Sequence, residues 1–378
     1  MSINGQQEFK LYITRDWSLK ILDPDTTIMP FLKKLKPDFS IQSVTPSADY
    51  VPNFQKLRRI YTELSIDDME NISIDTLWDV HNRILTDDIS PSSNKEMANL
   101  LEIKEELCRR IYLSCSLCPW ECGVNRFTTA GRCNLKEKAF FSSIFTHISE
   151  EVVINPAINV KLTGCSMGCL YCHTWENLSI DSEAKELNEN IWKGMNLNNA
   201  TTIEFVGGEP IVNLLSILET LNFAPYDFRL PIVWNSNGYT TKTTSSLLQG
   251  VIDVYLPDLK YGNNECAHKL SGVNKYLEFV QSGIEATIKS GVKTIVRILV
   301  IPGHIECCHL PAIEWLAQFK CYKNLWISVL DQYVPEFKAA DIKELNRCPV
   351  PAEVEYVEYM AEKNGLKDID KNPEGFWI

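Results

Sequence analysis

Between residues 159 and 330, short apolar runs alternate with stretches in which apolar positions recur every three or four residues. The runs fall at 159–164, 201–206, 230–234, 251–256, 294–301 and 325–330. They are filled almost continuously with Val, Ile, Leu and aromatic residues, the pattern of strands covered on both faces in a parallel sheet. Helical periodicity separates them at 211–221, 240–248, 276–289 and 310–319. Six strand–helix units predict an α/β fold with its sheet closed or partly closed as a barrel, two units short of the eight-stranded form.

Upstream, the pattern is different. Residues 9–14 read as a short strand and 46–52 as a loop, while 53–61, 74–85 and 95–112 carry helical spacing, with a Ser- and Pro-containing linker at 87–94. Trp78, Val80, Ile84 and Leu85 form a packing face, and His81 among them reads as structural or exposed. The expected organisation is a mostly helical extension (1–112), a cysteine-rich segment (113–150), the barrel (151–340) and a C-terminal helix and tail (341–378). No repeat or low-complexity tract interrupts it.

In strand–helix barrels, chemistry collects at the carboxyl ends of the strands, and the conspicuous polar motifs all lie there. Cys165-Ser-Met-Gly-Cys169-Leu-Tyr-Cys172 follows the first run, Gly207-Gly208-Glu209-Pro210 the second and Asn235-Ser236-Asn237-Gly238 the third. Asp258 and Lys260 close the fourth, Arg297 and Pro302-Gly303 belong to the fifth, and Asp331-Gln332-Tyr333 ends the sixth. Taken singly, the glycine motif is a turn, the Asn-Ser-Asn-Gly motif a loop and Asp258–Lys260 a surface ion pair worth about 0–1 kcal/mol. Their shared placement makes them candidates for one site, where charges of both signs suit a zwitterionic ligand.

Three closely spaced thiolates can cap three irons of a cubane and leave the fourth open, because soft sulfur ligands select iron–sulfur clusters, zinc or copper(I). The alternatives are buried thiols, or a zinc knuckle completed by His173. A second set, Cys115, Cys118, Cys122 and Cys133, is closed by count and suits a structural zinc or a fully ligated second cluster. Cys307 and Cys308 read as unpaired because adjacent side chains usually point apart; Cys108, Cys266, Cys321 and Cys348 read as isolated buried thiols. His173, His304 and Tyr333 are expected near the barrel mouth.

Thirteen cysteines without a basic, apolar leader in the first residues fit a reducing, cytoplasmic setting. A formal net charge of −12 disfavours a nucleic-acid partner, and no apolar run is long enough to span a bilayer.

Together these motifs, with Cys115-Ser-Leu-Cys-Pro-Trp-Glu-Cys-Gly-Val-Asn-Arg126 and Tyr255-Leu-Pro-Asp-Leu-Lys-Tyr261, resemble the pyruvate formate-lyase activating enzyme branch of the radical S-adenosylmethionine (SAM) superfamily, and within it the PflX-like proteins. The resemblance implies a partial (β/α)6 TIM-type barrel holding a 4Fe-4S cluster on Cys165, Cys169 and Cys172, with SAM at its open iron. By the same resemblance, Gly207 to Pro210 receive the SAM amino group through backbone and Glu209. Asp258, Lys260 and Arg297 lie near its carboxylate, and Asn235, Ser236 and Asn237 flank its methionyl or ribose part. The implied activity is oxidoreductase chemistry: SAM is cleaved to a 5′-deoxyadenosyl radical that takes hydrogen from a protein, peptide or small molecule. Electrons would come from a donor such as flavodoxin or ferredoxin. Asn235 replaces the aspartate of the activating enzymes' cation motif, and the extra cysteines precede the cluster loop instead of following it. The extension and the segment ending at Ile378 are expected to enclose the mouth. The competing reading is a non-catalytic iron–sulfur or zinc protein for electron transfer or structure.

Overall fold

A computed structural model describes residues 45–86, 92–195, 197 and 200–377, with the backbone of 11–13 and 19–21. Its centre is one sheet of ten strands: β1 (Leu11–Ile13), β2 (Leu19–Ile21), β3 (Phe140–His147), β4 (Ala157–Leu162), β5 (Lys185–Glu186), β6 (Thr202–Gly207), β7 (Ile232–Ser236), β8 (Val254–Pro257), β9 (Lys293–Leu299) and β10 (Leu325–Leu330). The order is β1-β2-β3-β4-β6-β7-β8-β9-β10, with β5 paired to β3. The six runs predicted from hydrophobicity are β4 and β6 to β10, all parallel. The path is open, so the barrel is partial. An antiparallel flank of β1 to β3 extends its first edge, and β3 lies inside the stretch 113–150 that the cysteine pattern had assigned to metal binding alone.

Strand alternation divides the side chains between two cores. One parity, including Val160, Leu162, Phe205, Trp234, Val296 and Ile327, packs under the helices, where the extension joins the same core through Phe54, Leu77, Leu101 and Leu107. The helix Leu100–Leu113 starts later than its periodicity suggested because Asn99 caps it. Asn99 Oδ1 accepts from the amides of Leu101 and Glu102, and Glu102 returns a bond to the Asn99 amide. His81 is buried in this layer, with a ring nitrogen 2.8 Å from Lys104 Nζ, a structural role.

The other parity faces the barrel interior. Near the strand starts it is apolar: Val233, Val254, Leu256, Ile295 and Trp326 cluster with Val152 to Ile154, Ile369 and Phe376. The C-terminal chain pairs alongside β10, with Ile369 N–H donating to Ile327 O at 2.9 Å and Ile327 N–H to Lys367 O at 2.9 Å. It then turns in beneath the barrel, where Trp377 Nε1 donates to Val153 O at 2.7 Å. The tail therefore plugs the end opposite the mouth; the expected enclosure of the mouth by this segment is not what it does. Apolar burial drives that choice, since Phe376 is fully buried with its ring centroid 4.8 Å from that of Trp326. Phe376→Leu keeps most of the volume but loses the aromatic contact, and should cost about 1–2 kcal/mol in urea unfolding. A cost near zero would mean the plug does not stabilise the barrel.

Candidate active site

Toward the carboxyl ends of the strands the interior parity turns polar. Asn159 and Lys161 of β4, Glu204 of β6, Asn235 of β7, Asp258, Lys260 and Arg297 line one cavity together with Cys165, Cys169 and Cys172. The plug below is apolar and the mouth above is charged, so one strand register supplies both.

The cysteine loop leaves β4 through Gly164 at φ +76°, where a Cβ would lie 2.5 Å from Leu135 and 2.9 Å from the Cys133 carbonyl oxygen. The backbone then docks on the helix Asn264–Ser271: Gly168 N–H donates to Ser271 O at 3.1 Å and Leu170 N–H to Leu270 O at 2.9 Å. Each sulfur meets a polar group: Cys165 the Met167 amide (3.4 Å) and Asn237 Nδ2 (3.7 Å), Cys169 the Ser271 hydroxyl (2.9 Å), Cys172 the Thr174 hydroxyl (3.7 Å). Burial raises the pKa of Cys165 and Cys169, with neighbouring charges modifying it. A thiol in that setting stays protonated unless a metal claims it. His173 lines the same cavity, and its Nε2 lies 3.5 Å from the Val334 amide.

Gly207 and Gly208 face the cavity. Gly207 has φ +109°, and a Cβ on Gly208 would fall 2.1 Å from the Gly164 carbonyl oxygen, so the second and first loops touch backbone to backbone. Glu209 points the other way. Its carboxylate is fully buried and accepts from the Asn237 amide (2.8 Å), the Ser236 hydroxyl (2.8 Å) and the Ile211 amide (3.1 Å). Burial pushes its pKa up to about 7 while these donors pull it back. The Glu209 carboxylate braces the β7 loop against the β6 loop, and Ser236 and Pro210 are buried in the same brace. Asn237 lines the cavity, and Asn235 donates to Glu204 Oε1 at 2.6 Å.

Asp258, Lys260 and Arg297 are in ion pairs. Lys260 Nζ lies 2.6 Å from Asp258 Oδ2 in a partly buried bridge, not the exposed pair that the motif alone suggests. Burial lowers the Lys260 pKa, but Asp258 outweighs it and holds the ammonium charged. Arg297 makes two bonds, 2.8 and 2.7 Å, to Glu151, which is fully buried. Glu150 bonds His147 at 3.0 Å; burial opposes its ionisation, yet His147 and Arg297 hold its carboxyl down at about 2. His147, Glu150, Glu151, Asn159, Lys161 and Glu204 were not among the sequence candidates. The signal available was polar residues two apart within β4 and at Glu204 in β6.

Cys115, Cys118 and Cys133 are buried and Cys122 exposed. Two of them approach the same spot: a Cβ on Gly131 would sit 3.5 Å from both Cys122 and Cys133 Sγ. Burial raises Cys118 to about 12, and the charges of Cys115, Cys133 and Cys122 add to the effect. The segment is wedged against the cysteine loop, with Trp120 Nε1 donating to Ser166 O at 2.6 Å and Thr244 Oγ1 to Leu117 O at 2.8 Å.

Four other expectations change. Tyr333 is buried away from the cavity, its hydroxyl donating to Leu345 O at 2.8 Å. His304 is buried, with Nδ1 2.9 Å from Pro302 O, and does not line the cavity. Cys266, Cys307 and Cys308 are not isolated or divergent: Cys266 and Cys307 Sγ are 3.8 Å apart, as are those of Cys307 and Cys308. Cys321 and Cys348 are exposed, not buried.

The sequence model of the radical SAM superfamily matches residues 159–316, from β4 to the helix Leu310–Leu316 that follows β9. The uncharacterized protein MJ0674 of Methanocaldococcus jannaschii is 34% identical over 319 residues, covering 80% of this chain and 92% of its own. The chain belongs to the radical SAM superfamily. That membership implies an enzyme using a 4Fe-4S cluster and SAM, with a reductant and a substrate. Among solved structures, Streptococcus suis SuiB bound to precursor peptide SuiA is similar at 15% identity, over 56% of this chain and 45% of its own, with a TM-score of 0.38. TYW1 with a bound lysine–pyruvate adduct is similar at 14% identity, over 55% of this chain and 73% of its own, with a TM-score of 0.37. This radical SAM chain thus spans less than half the length of SuiB. Among the described residues no helix is long and apolar enough to cross a membrane.

Proposed function

We propose that the chain is a radical SAM enzyme of the pyruvate formate-lyase activating enzyme-like, PflX-like branch, and that Cys165, Cys169 and Cys172 hold its 4Fe-4S cluster. The observation that carries this reading is that the three sulfurs of one short loop line the same cavity as Gly207, Gly208, Asn237, Asp258 and Lys260. The donor set fits: three soft ligands, each with at least one polar group nearby, beside a paired acid and base. Bound there, the reduced cluster and SAM supply a 5′-deoxyadenosyl radical for hydrogen abstraction from a protein, peptide or small-molecule substrate.

The chain's own residues do the rest. The backbone of Gly207 and Gly208 approaches the ligand closely because neither carries a Cβ. Asp258 and Lys260 present both signs of charge to a ligand carrying an amine and a carboxylate. Arg297, balanced by Glu151, and Asn235, balanced by Glu204, form the fixed floor of the cavity. The apolar plug beneath closes the cavity toward the strand starts and so helps to exclude water from it. Residues 151–340 act as the catalytic unit. Cys115, Cys118, Cys122 and Cys133 hold a second metal, zinc or a cluster, against the cysteine loop, and the described parts of 1–112 and 341–378 pack against the barrel. A cytoplasmic setting keeps these thiols reduced, and a donor such as flavodoxin or ferredoxin supplies the electrons for the cluster.

The test is anaerobic reconstitution with iron and sulfide, followed by dithionite and SAM. A cubane EPR signal that SAM perturbs, with 5′-deoxyadenosine formed over time, is expected. Absence of both removes the reading.

A further inference from the structure

The structure assigns a third sulfur-rich site, Cys266, His304 and Cys307 with Cys308 beside them, and we propose that it holds a structural zinc ion. These residues come from two elements. Cys266 is in the first turn of the helix Asn264–Ser271. The others lie in and just before the π-helical turn Ile305–His309 that follows β9.

Geometry selects the ion. One ligand atom each from Cys266, His304 and Cys307 lie within 4.8 Å of one another. The Cys266–Cys307 and Cys307–Cys308 sulfur separations are both 3.8 Å. Zinc–sulfur bonds of about 2.3 Å in a tetrahedron place two thiolates ~3.8 Å apart. A disulfide needs about 2.05 Å, and thiolates on a cubane spread wider because each caps a different iron. With Cys308 as the fourth donor, three thiolates and one imidazole make the closed Cys3His set of structural zinc sites.

The surroundings are built as a metal site's usually are. His304 Nδ1 is 2.9 Å from Pro302 O, a contact that fixes this nitrogen as the donor and leaves the Nε2 lone pair for a metal. Asn263 Nδ2 lies 3.3 Å from Cys266 Sγ and 3.8 Å from Cys308 Sγ, and donates to Cys307 O at 2.7 Å. A Cβ on Gly262 would fall 2.3 Å from Cys308 O, so the two elements cross at a position that admits only glycine. Zinc here ties the β9 loop to the helix whose far end holds the Cys165–Cys172 loop. It would stiffen the platform under Cys169 without touching the cavity.

The experiment compares zinc content, by elemental analysis, of the full-length wild-type chain and C266S/C307S, both purified anaerobically, loaded with zinc and desalted. Taking the difference removes any zinc on the Cys115–Cys133 segment. The double variant should carry about one zinc fewer per chain, with iron unchanged. Cobalt in place of zinc should give wild-type thiolate-to-cobalt charge-transfer absorption that weakens in Cys307→Ser, a surface substitution usable even where the double variant does not fold. Equal zinc in the two chains, unchanged cobalt absorption in Cys307→Ser, or a Cys266–Cys307 disulfide in the zinc-loaded protein would overturn the assignment. Formation of 5′-deoxyadenosine reads the cysteine loop independently, so the two proposals fail separately.

Discussion

Cys169→Ala should lower SAM cleavage by more than about 100-fold, because even the partners of metal ligands are worth 10–100-fold, and should leave iron poorly retained after desalting. Cys169 is the informative choice because the loop around it is held without its sulfur. The amides of Gly168 and Leu170 bond to the carbonyls of Ser271 and Leu270, and Tyr171 is buried with its hydroxyl 2.8 Å from that of Tyr261. Removing the thiol therefore deletes a ligand and leaves its support standing. Circular dichroism and the unfolding midpoint should stay near wild type while iron and 5′-deoxyadenosine fall. Cys321→Ala, at an exposed cysteine, is the matched control and should retain both. Full iron and activity in Cys169→Ala would mean that another side chain caps that iron.

The six parallel strands were legible because burial on both faces leaves a continuous apolar run, and the motifs were legible because each sits where a strand ends. β3 was not. Its Ser142, Ser143 and Thr146 break the run, and its neighbour is the cysteine-rich segment, whose spacing dominates the reading. Glu209 shows a second limit. The motif marks the right loop, but the direction of the side chain depends on the positive φ of Gly207 and on donors from Ser236 and Asn237, which the chain brings in 27 and 28 residues later. The site of Cys266 and Cys307 has no motif, since its sulfurs meet across 41 residues. The C-terminal plug had apolar residues to announce burial, but nothing in its sequence says which end of the barrel it would fill.

The Glu151–Arg297 pair, 146 residues apart, is where non-local structure carries the largest stability effect. Glu151→Ala removes the carboxylate that takes both Arg297 donors and leaves a guanidinium inside the barrel. Loss of one partner of a buried ion pair costs about 3–5 kcal/mol, and here Glu204 and Glu150 also stabilise the Arg297 charge, which sets the expected loss near the lower figure. Arg297→Met should cost a similar amount by stranding Glu151 among apolar neighbours. The double variant removes both charges, so its loss should fall short of the sum of the singles by about 1–3 kcal/mol. Chemical denaturation of the four proteins closes the cycle. Strict additivity would show that the pair is not coupled, and that water or another side chain already satisfies Arg297; the floor of the cavity would then be held by the plug alone.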